Sequence, residues 1–161
     1  MIIIVMGVSG SGKTTIGKLL ADSLSWEFSD ADTFHSPENI DKMRRGIPLS
    51  EADRIPWLQD LQTAIKHWLQ ESKNVVLACS ALKNSYRQFL VLDSERIKLV
   101  YLKGSYELIQ KRLQERSNHY MGEELLSSQF YTLEEPLDTI SIDVAQPPQI
   151  IVQNIRTVLE I

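Results

Sequence analysis

At 161 residues and 43% hydrophobic content, the chain is long enough for one packed domain without disulfides or structural metal, and too short for two. A net charge of -4 with scattered lysines and arginines excludes a nucleic-acid-binding face, and the lone Cys79 excludes an internal disulfide or a cysteine-cluster metal site. No apolar run approaches the ~20 residues of a bilayer helix, and without a positively charged leader the sequence is expected to be a mature cytoplasmic protein with no membrane partner.

The apolar run Ile2 to Met6 predicts a strand buried on both faces. It leads directly into Gly7-Val8-Ser9-Gly10-Ser11-Gly12-Lys13-Thr14, which fits the phosphate-binding pattern G-x-x-x-x-G-K-[ST]. Glycines let such a loop curl so that its N–H groups point inward, while the following helix turns its positive end toward a polyphosphate. Lys13 adds a mobile charge and Thr14 a hydroxyl oxygen for Mg²⁺. Ile16, Leu19, Leu20 and Leu24 predict a helix from Thr14 to Leu24, so strand, loop and helix occur in the order a nucleotide site requires.

Trp26 to Phe28 predicts a short strand ending in the polar turn Ser29-Asp30-Ala31-Asp32, which puts two carboxylates at a strand's C-terminal end, where ligands bind in open α/β sheets. Residues 35–57 carry Pro37, Pro48, Pro56 and Gly46; a short helix near Glu38 to Arg45 followed by irregular chain is expected there, as a substrate-binding insert. Leu58, Leu61, Ile65, Trp68 and Leu69 predict a long amphipathic helix from about Ala52 to Ser72. Asn74 to Cys79 and Ile97 to Leu102 read as buried strands, with helices over Leu82 to Leu92 and Tyr106 to Glu115. The polar stretch 117–136, with His119 and Gly122, is expected to be a mobile lid with a short helix. Ile140 to Val144 predicts the last strand, and Pro147-Pro148 opens a helix whose apolar face is Ile151, Ile155, Val158 and Leu159. Five strands with helical crossovers imply an α/β fold: a three-layer, five-stranded parallel sheet of the P-loop kinase type, with helices on both faces.

Phosphoryl transfer needs a held γ-phosphate, neutralised charge and an aligned acceptor hydroxyl. Lys13 and the loop amides suit the first task. Asp30 is assigned to a Mg²⁺-bound water and Asp32 to the base that orients the hydroxyl, a division left open because both face the cleft if the segment is a turn. Arg44, Arg45 and Arg54 lie in the insert with His35 and Asp53, and an arginine fork suits a substrate carboxylate. Lys83 and Arg87, four apart, are expected on one helix face toward a bound anion. Arg112 and Arg116, also four apart, lead into the lid, where arginines cover ATP and stabilise the transferring group.

Several segments together resemble the gluconate kinases, small ATP-dependent enzymes related to shikimate and nucleoside-monophosphate kinases. They are Met6 to Thr14, Asp30-Ala31-Asp32-Thr33-Phe34-His35, Asn39 to Met43, Gly46-Ile47-Pro48-Leu49, Asp53-Arg54-Ile55-Pro56-Trp57-Leu58, Cys79-Ser80-Ala81-Leu82-Lys83, Tyr86-Arg87, Tyr101 to Gly104 and Ser128-Gln129-Phe130. Ala31 stands where glycine is common, and Ser36 is inserted before Pro37. The resemblance implies transfer of the ATP γ-phosphate to the 6-hydroxyl of D-gluconate, Mg²⁺ dependence and a homodimer. It implies Lys13, Asp32 and Arg116 in catalysis, the phosphate loop and Arg112 on ATP, Asp32, His35, Arg54, Lys83 and Arg87 on substrate, and Thr14 and Asp30 on the metal. Against shikimate as acceptor, Cys79-Ser80-Ala81 replaces the glycine triplet after the third strand of shikimate kinases. Against a GTPase switch, no N-K-x-D segment follows a strand. Against a non-catalytic ATP-binding regulator, the paired aspartates and lid arginines are present.

Overall fold

The protein is described from a computed structural model covering residues 1–115, 123–137 and 139–161. Strands β1 (Ile2–Met6), β2 (Glu27–Asp30), β3 (Val75–Ala78), β4 (Ile97–Lys103) and β5 (Ile140–Asp143) form one parallel sheet in the order β2-β3-β1-β4-β5. All five expected strands are present. Alternation along β1 explains the unbroken apolar run: Ile2, Ile4 and Met6 enter one core while Ile3 and Val5 enter the core on the opposite face.

The first core is covered by α3 (Glu51–Gln70), through Leu58, Leu61 and Ile65, and by α4 (Asn84–Leu90), through Tyr86 and Leu90. The second is covered by α1 (Lys13–Leu24), through Ile16 and Leu20, and by α7 (Pro148–Leu159), through Ile151, Val152 and Ile155. A third cluster sits under the mouth of the sheet, where Val8 of the phosphate loop meets Ile109 and Leu113 of α5 (Tyr106–Glu115) and Leu126 of α6 (Glu123–Thr132). Truncating a fully buried side chain such as Leu61 to alanine removes about 2–5 kcal/mol of stability.

The insert is more regular than its prolines suggest. After a 3₁₀ turn at Ala31–Phe34, helix α2 (Pro37–Arg44) begins with Ser36 accepting from the Asn39 N–H, so the inserted serine is a helix cap. The helix expected from about Ala52 starts at Glu51, as α3, and runs through Pro56. Ser50 and Asp53 form a reciprocal capping box that holds the first turn, which lets the helix tolerate the N–H that Pro56 lacks. Among the described residues no helix is long and apolar enough to cross a membrane. Cys79 is buried just beyond β3, and burial pushes its thiol up to about 12, so it packs as a small apolar group.

Candidate active site

The site lies at the C-terminal ends of β1, β2 and β3, beside the point where the sheet order reverses direction about β1. Gly10 and Gly12 hold φ values of 81° and 101°, and a Cβ on Gly10 would lie 2.8 Å from Leu113 Cγ, so glycine is required there on both grounds. Lys13 folds over the loop to donate to the Val8 carbonyl at 3.0 Å, and the Ser11 amide donates to the same oxygen at 3.2 Å. The Ser11 hydroxyl is buried without a hydrogen-bond partner among the described residues. It packs against Gly7, where an added Cβ would lie 2.6 Å from the hydroxyl oxygen. Gly7 donates to the Ser80 carbonyl at 3.4 Å, which ties the loop to the end of β3.

Ser9 makes a contact that no local sequence signal announces. Its amide donates to Gln129 Oε1 at 2.6 Å, tying α6 to the phosphate loop across 120 residues of chain. Ser128-Gln129-Phe130 belonged to the family resemblance without a role; a lone glutamine on a helix carries no local signal of such a partner.

Thr14 Oγ1 donates to Asp30 Oδ2 at 3.3 Å, joining the first turn of α1 to the end of β2. The other Asp30 oxygen accepts from the Asp32 amide at 2.9 Å, so Asp30 caps the 3₁₀ turn and presents Asp32 beside itself. The Asp32 carboxyl lies near enough to Asp30 and Lys13 to feel both charges. Protein mass around Asp32 raises its pKa, although the residue remains open to water; the Asp30 charge raises it further and Lys13 opposes both. A carboxylate held in this way accepts a proton more readily than an ordinary aspartate.

His35 follows directly. It is 8% exposed, stacked on the Trp57 ring with centroids 4.4 Å apart and planes 10° apart. Trp57 in turn donates from Nε1 to the Ala31 carbonyl at 2.8 Å, fixing the turn that carries Asp32. Asn39 Nδ2 donates to the Asp53 carbonyl at 2.8 Å and lies 3.3 Å from His35 Nδ1. An amide oriented by the first bond offers His35 a proton, so Nδ1 is an acceptor and the ring carries its hydrogen on Nε2. Burial first, and then the Arg54 charge, lower the His35 pKa to about 4, and the imidazole is a neutral donor near neutral pH.

Arg54 donates to Tyr86 Oη at 3.3 Å and lies 3.8 Å from Glu51 Oε1. Asp53, its neighbour, serves the capping box: the Ser50 amide and Lys42 at 2.9 Å hold its carboxyl down to about 2. Arg44, the last residue of α2, and Arg45, just beyond it, are exposed, with Arg45 paired to Asp41.

Two expectations for α4 need correction. Lys83 is the residue preceding the helix and not part of its face, so it and Arg87 do not point together. Lys83 reaches the cleft and pairs with Glu51. Arg87 is 5% exposed and spends its guanidinium on the carbonyls of Ala81, Leu82 and Glu134, at 2.8, 3.1 and 2.7 Å. It is a brace behind the site and not a substrate contact. Arg112 Nη2 donates to the Val144 carbonyl at 2.6 Å, on the flank of the phosphate loop. Arg116 and His119 lie outside the described residues.

A phosphate loop whose lysine and threonine face a carboxylate pair, across a cleft lined by cationic side chains, defines a P-loop kinase acting on a small molecule. The family model of shikimate kinase matches residues 9–159. The chain is 43% identical over 169 residues to the gluconokinase of Arabidopsis thaliana, covering 96% of this chain and 89% of that protein. Among solved structures it is similar to a gluconokinase from Sinorhizobium meliloti, at 43% identity with TM-score 0.83, covering 94% of this chain and 86% of the other. It is also similar to a sugar kinase from Janibacter, at 42% identity with TM-score 0.90, covering 99% and 94%. The chain belongs to the gluconokinase family.

Proposed function

We propose that the protein transfers the γ-phosphate of ATP to the 6-hydroxyl of D-gluconate, giving 6-phospho-D-gluconate and ADP. What carries the choice of gluconate is the match to gluconokinases over nearly the whole chain, insert included. Cys79-Ser80-Ala81, in place of a glycine triplet, argues against shikimate despite the shared family model.

In this reading Lys13 and the amides of Gly7 to Thr14 hold the phosphates, with Arg112 and Arg116 on the ATP side and Arg116 stabilising the transferring group. Thr14 and Asp30 would hold Mg²⁺. The donor set fits: a hydroxyl and a carboxylate lie 3.3 Å apart, and the described residues contain no cage of three or more metal-ligating side chains, which suits an ion that keeps its waters and arrives with phosphates. The metal, when bound, neutralises charge on the phosphate oxygens. The acceptor hydroxyl gives its proton to Asp32 as its oxygen bonds to the γ-phosphorus; the bond to the β–γ bridging oxygen breaks and ADP leaves. His35 Nε2 donates to the substrate, and Arg54 and Lys83 take its carboxylate.

The same reading makes the chain one kinase domain, with residues 35–57 as the substrate insert and 117–136 as a lid. It takes the enzyme to act in the cytoplasm and, on the strength of the family resemblance, as a homodimer. The test is NMR of the product: phosphorus coupled to the C6 protons is expected, and phosphorus coupled to any other carbon position would contradict the assigned regiochemistry.

A further inference from the structure

The acceptor half of the cleft contains an acid that the reaction above leaves without a task. Glu51 stands in the first turn of α3, but its carboxylate reaches across to α4. A single oxygen, Oε1, accepts from Lys83 Nζ at 2.5 Å and from Tyr86 Oη at 2.9 Å, with Arg54 Nη1 at 3.8 Å. Arg54 also donates to Tyr86 Oη, and both cations sit over the Tyr86 ring, at 5.9 Å for Arg54 and 5.8 Å for Lys83. Two cations and a phenol thus converge on one carboxylate oxygen. That is the donor set a substrate carboxylate needs.

The cluster is continuous with the reacting centre, because Arg54 is close enough to depress the pKa of His35, and His35 shares the Trp57 platform with the turn bearing Asp32. It is also exchangeable. The Glu51 side chain is 58% exposed, against 23% for Arg54 and 34% for Lys83, and ion pairs so open to water are weak and readily exchanged.

We propose that Glu51 is a built-in stand-in for the substrate carboxylate: it engages Lys83, Tyr86 and Arg54 until gluconate displaces it, and so raises the concentration of gluconate needed for half-saturation. The inference rests on gluconate being the acceptor. An internal competitor reduces the fraction of sites whose cations are available, and the KM rises by the inverse of that fraction. Its removal strengthens binding, the opposite of what loss of an ordinary brace would do.

The experiment is steady-state kinetics of Glu51→Gln, with Glu51→Ala as a second variant. Asp41→Asn serves as a charge control, since Asp41 pairs with Arg45 on α2 away from the cluster. Removal of the stand-in is expected to lower the gluconate KM by about 3–10-fold while the ATP KM stays put and Asp41→Asn changes neither. A gluconate KM that is unchanged or higher in both Glu51 variants makes Glu51 a brace and overturns the proposal. An equal fall in Asp41→Asn also overturns it, by making the effect one of net charge. Wild-type enzyme without gluconate-dependent turnover would remove the gluconate reading itself, whereas wild-type turnover with no fall in KM removes the stand-in alone.

Discussion

The phosphate wall of the cleft, Gly7 to Thr14 with α1, and the acceptor wall, the 3₁₀ turn with α2, α3 and the start of α4, meet at Asp30 and Asp32 but are built from different materials. The first is backbone geometry set by glycine conformation within a single contiguous segment. The second is a side-chain network whose bonds span 14 residues from Asn39 to Asp53, 32 from Arg54 to Tyr86 and 35 from Tyr86 to Glu51. A wall made of amides recognises phosphate in any nucleotide. In the proposed function a wall made of exchangeable side-chain pairs selects the acceptor, and changes there are expected to act on affinity before they act on rate.

The largest effect is expected at the phosphate wall. Lys13→Ala should cut kcat by about 10³-fold or more, with the melting temperature unchanged, because the lysine acts on the charge that develops during transfer. A kcat within a few-fold of wild type would break the distinction between the walls. On the acceptor side, Arg54→Ala should raise the gluconate KM by about 10-fold and leave the ATP KM alone; equal changes in both would mean that the walls are not separable.

Arg87 sharpens the comparison from behind the site. Arg87→Met leaves the Ala81 and Glu134 carbonyls without a donor, each costing about 1–3 kcal/mol where water cannot replace it, while Leu82 keeps the Glu134 N–H. Thermal denaturation should therefore show a fall of about 5–10 °C, with the gluconate KM little changed. A large KM effect at unchanged stability would restore Arg87 to the substrate.

The smallest effect concerns His35. Its folded pKa, about 4, lies below the ordinary value of 6.5. Above 6.5 the ring is neutral in folded and unfolded chains alike, so it adds no pH dependence there. Below 6.5 the unfolded chain takes up a proton that the folded one refuses, and stability falls until the pH passes about 4. His35→Gln should flatten that part of the stability profile. An imidazole titrating near 6.5 by NMR in the folded protein would contradict the buried, Trp57-stacked ring.

These differences explain what could be read from the sequence. The strands and most helix spans followed from apolar periodicity, and the phosphate loop from a contiguous pattern, because both signals lie within a few residues of chain. Arg87 was misread because its four-residue spacing from Lys83 looks like a helix face, while one of the carbonyls that captures it belongs to Glu134, 47 residues away. Gln129 and Glu51 carry no legible role for the same reason: neither has a local partner pattern, and only the packing of α6 on the phosphate loop and of α3 on the start of α4 supplies one. The helix from about Ala52 is legible despite Pro56, because the apolar spacing from Leu58 to Leu69 is local; the Ser50–Asp53 capping box sets its start at Glu51.

The most direct test of the account is ADP release from MgATP, measured by a coupled assay with D-gluconate, with shikimate and with no acceptor. Turnover that depends on gluconate, with shikimate no better than the blank, is the predicted result. Turnover with shikimate alone, or no stimulation by either acid, would contradict the central claim that the acceptor wall is built for gluconate.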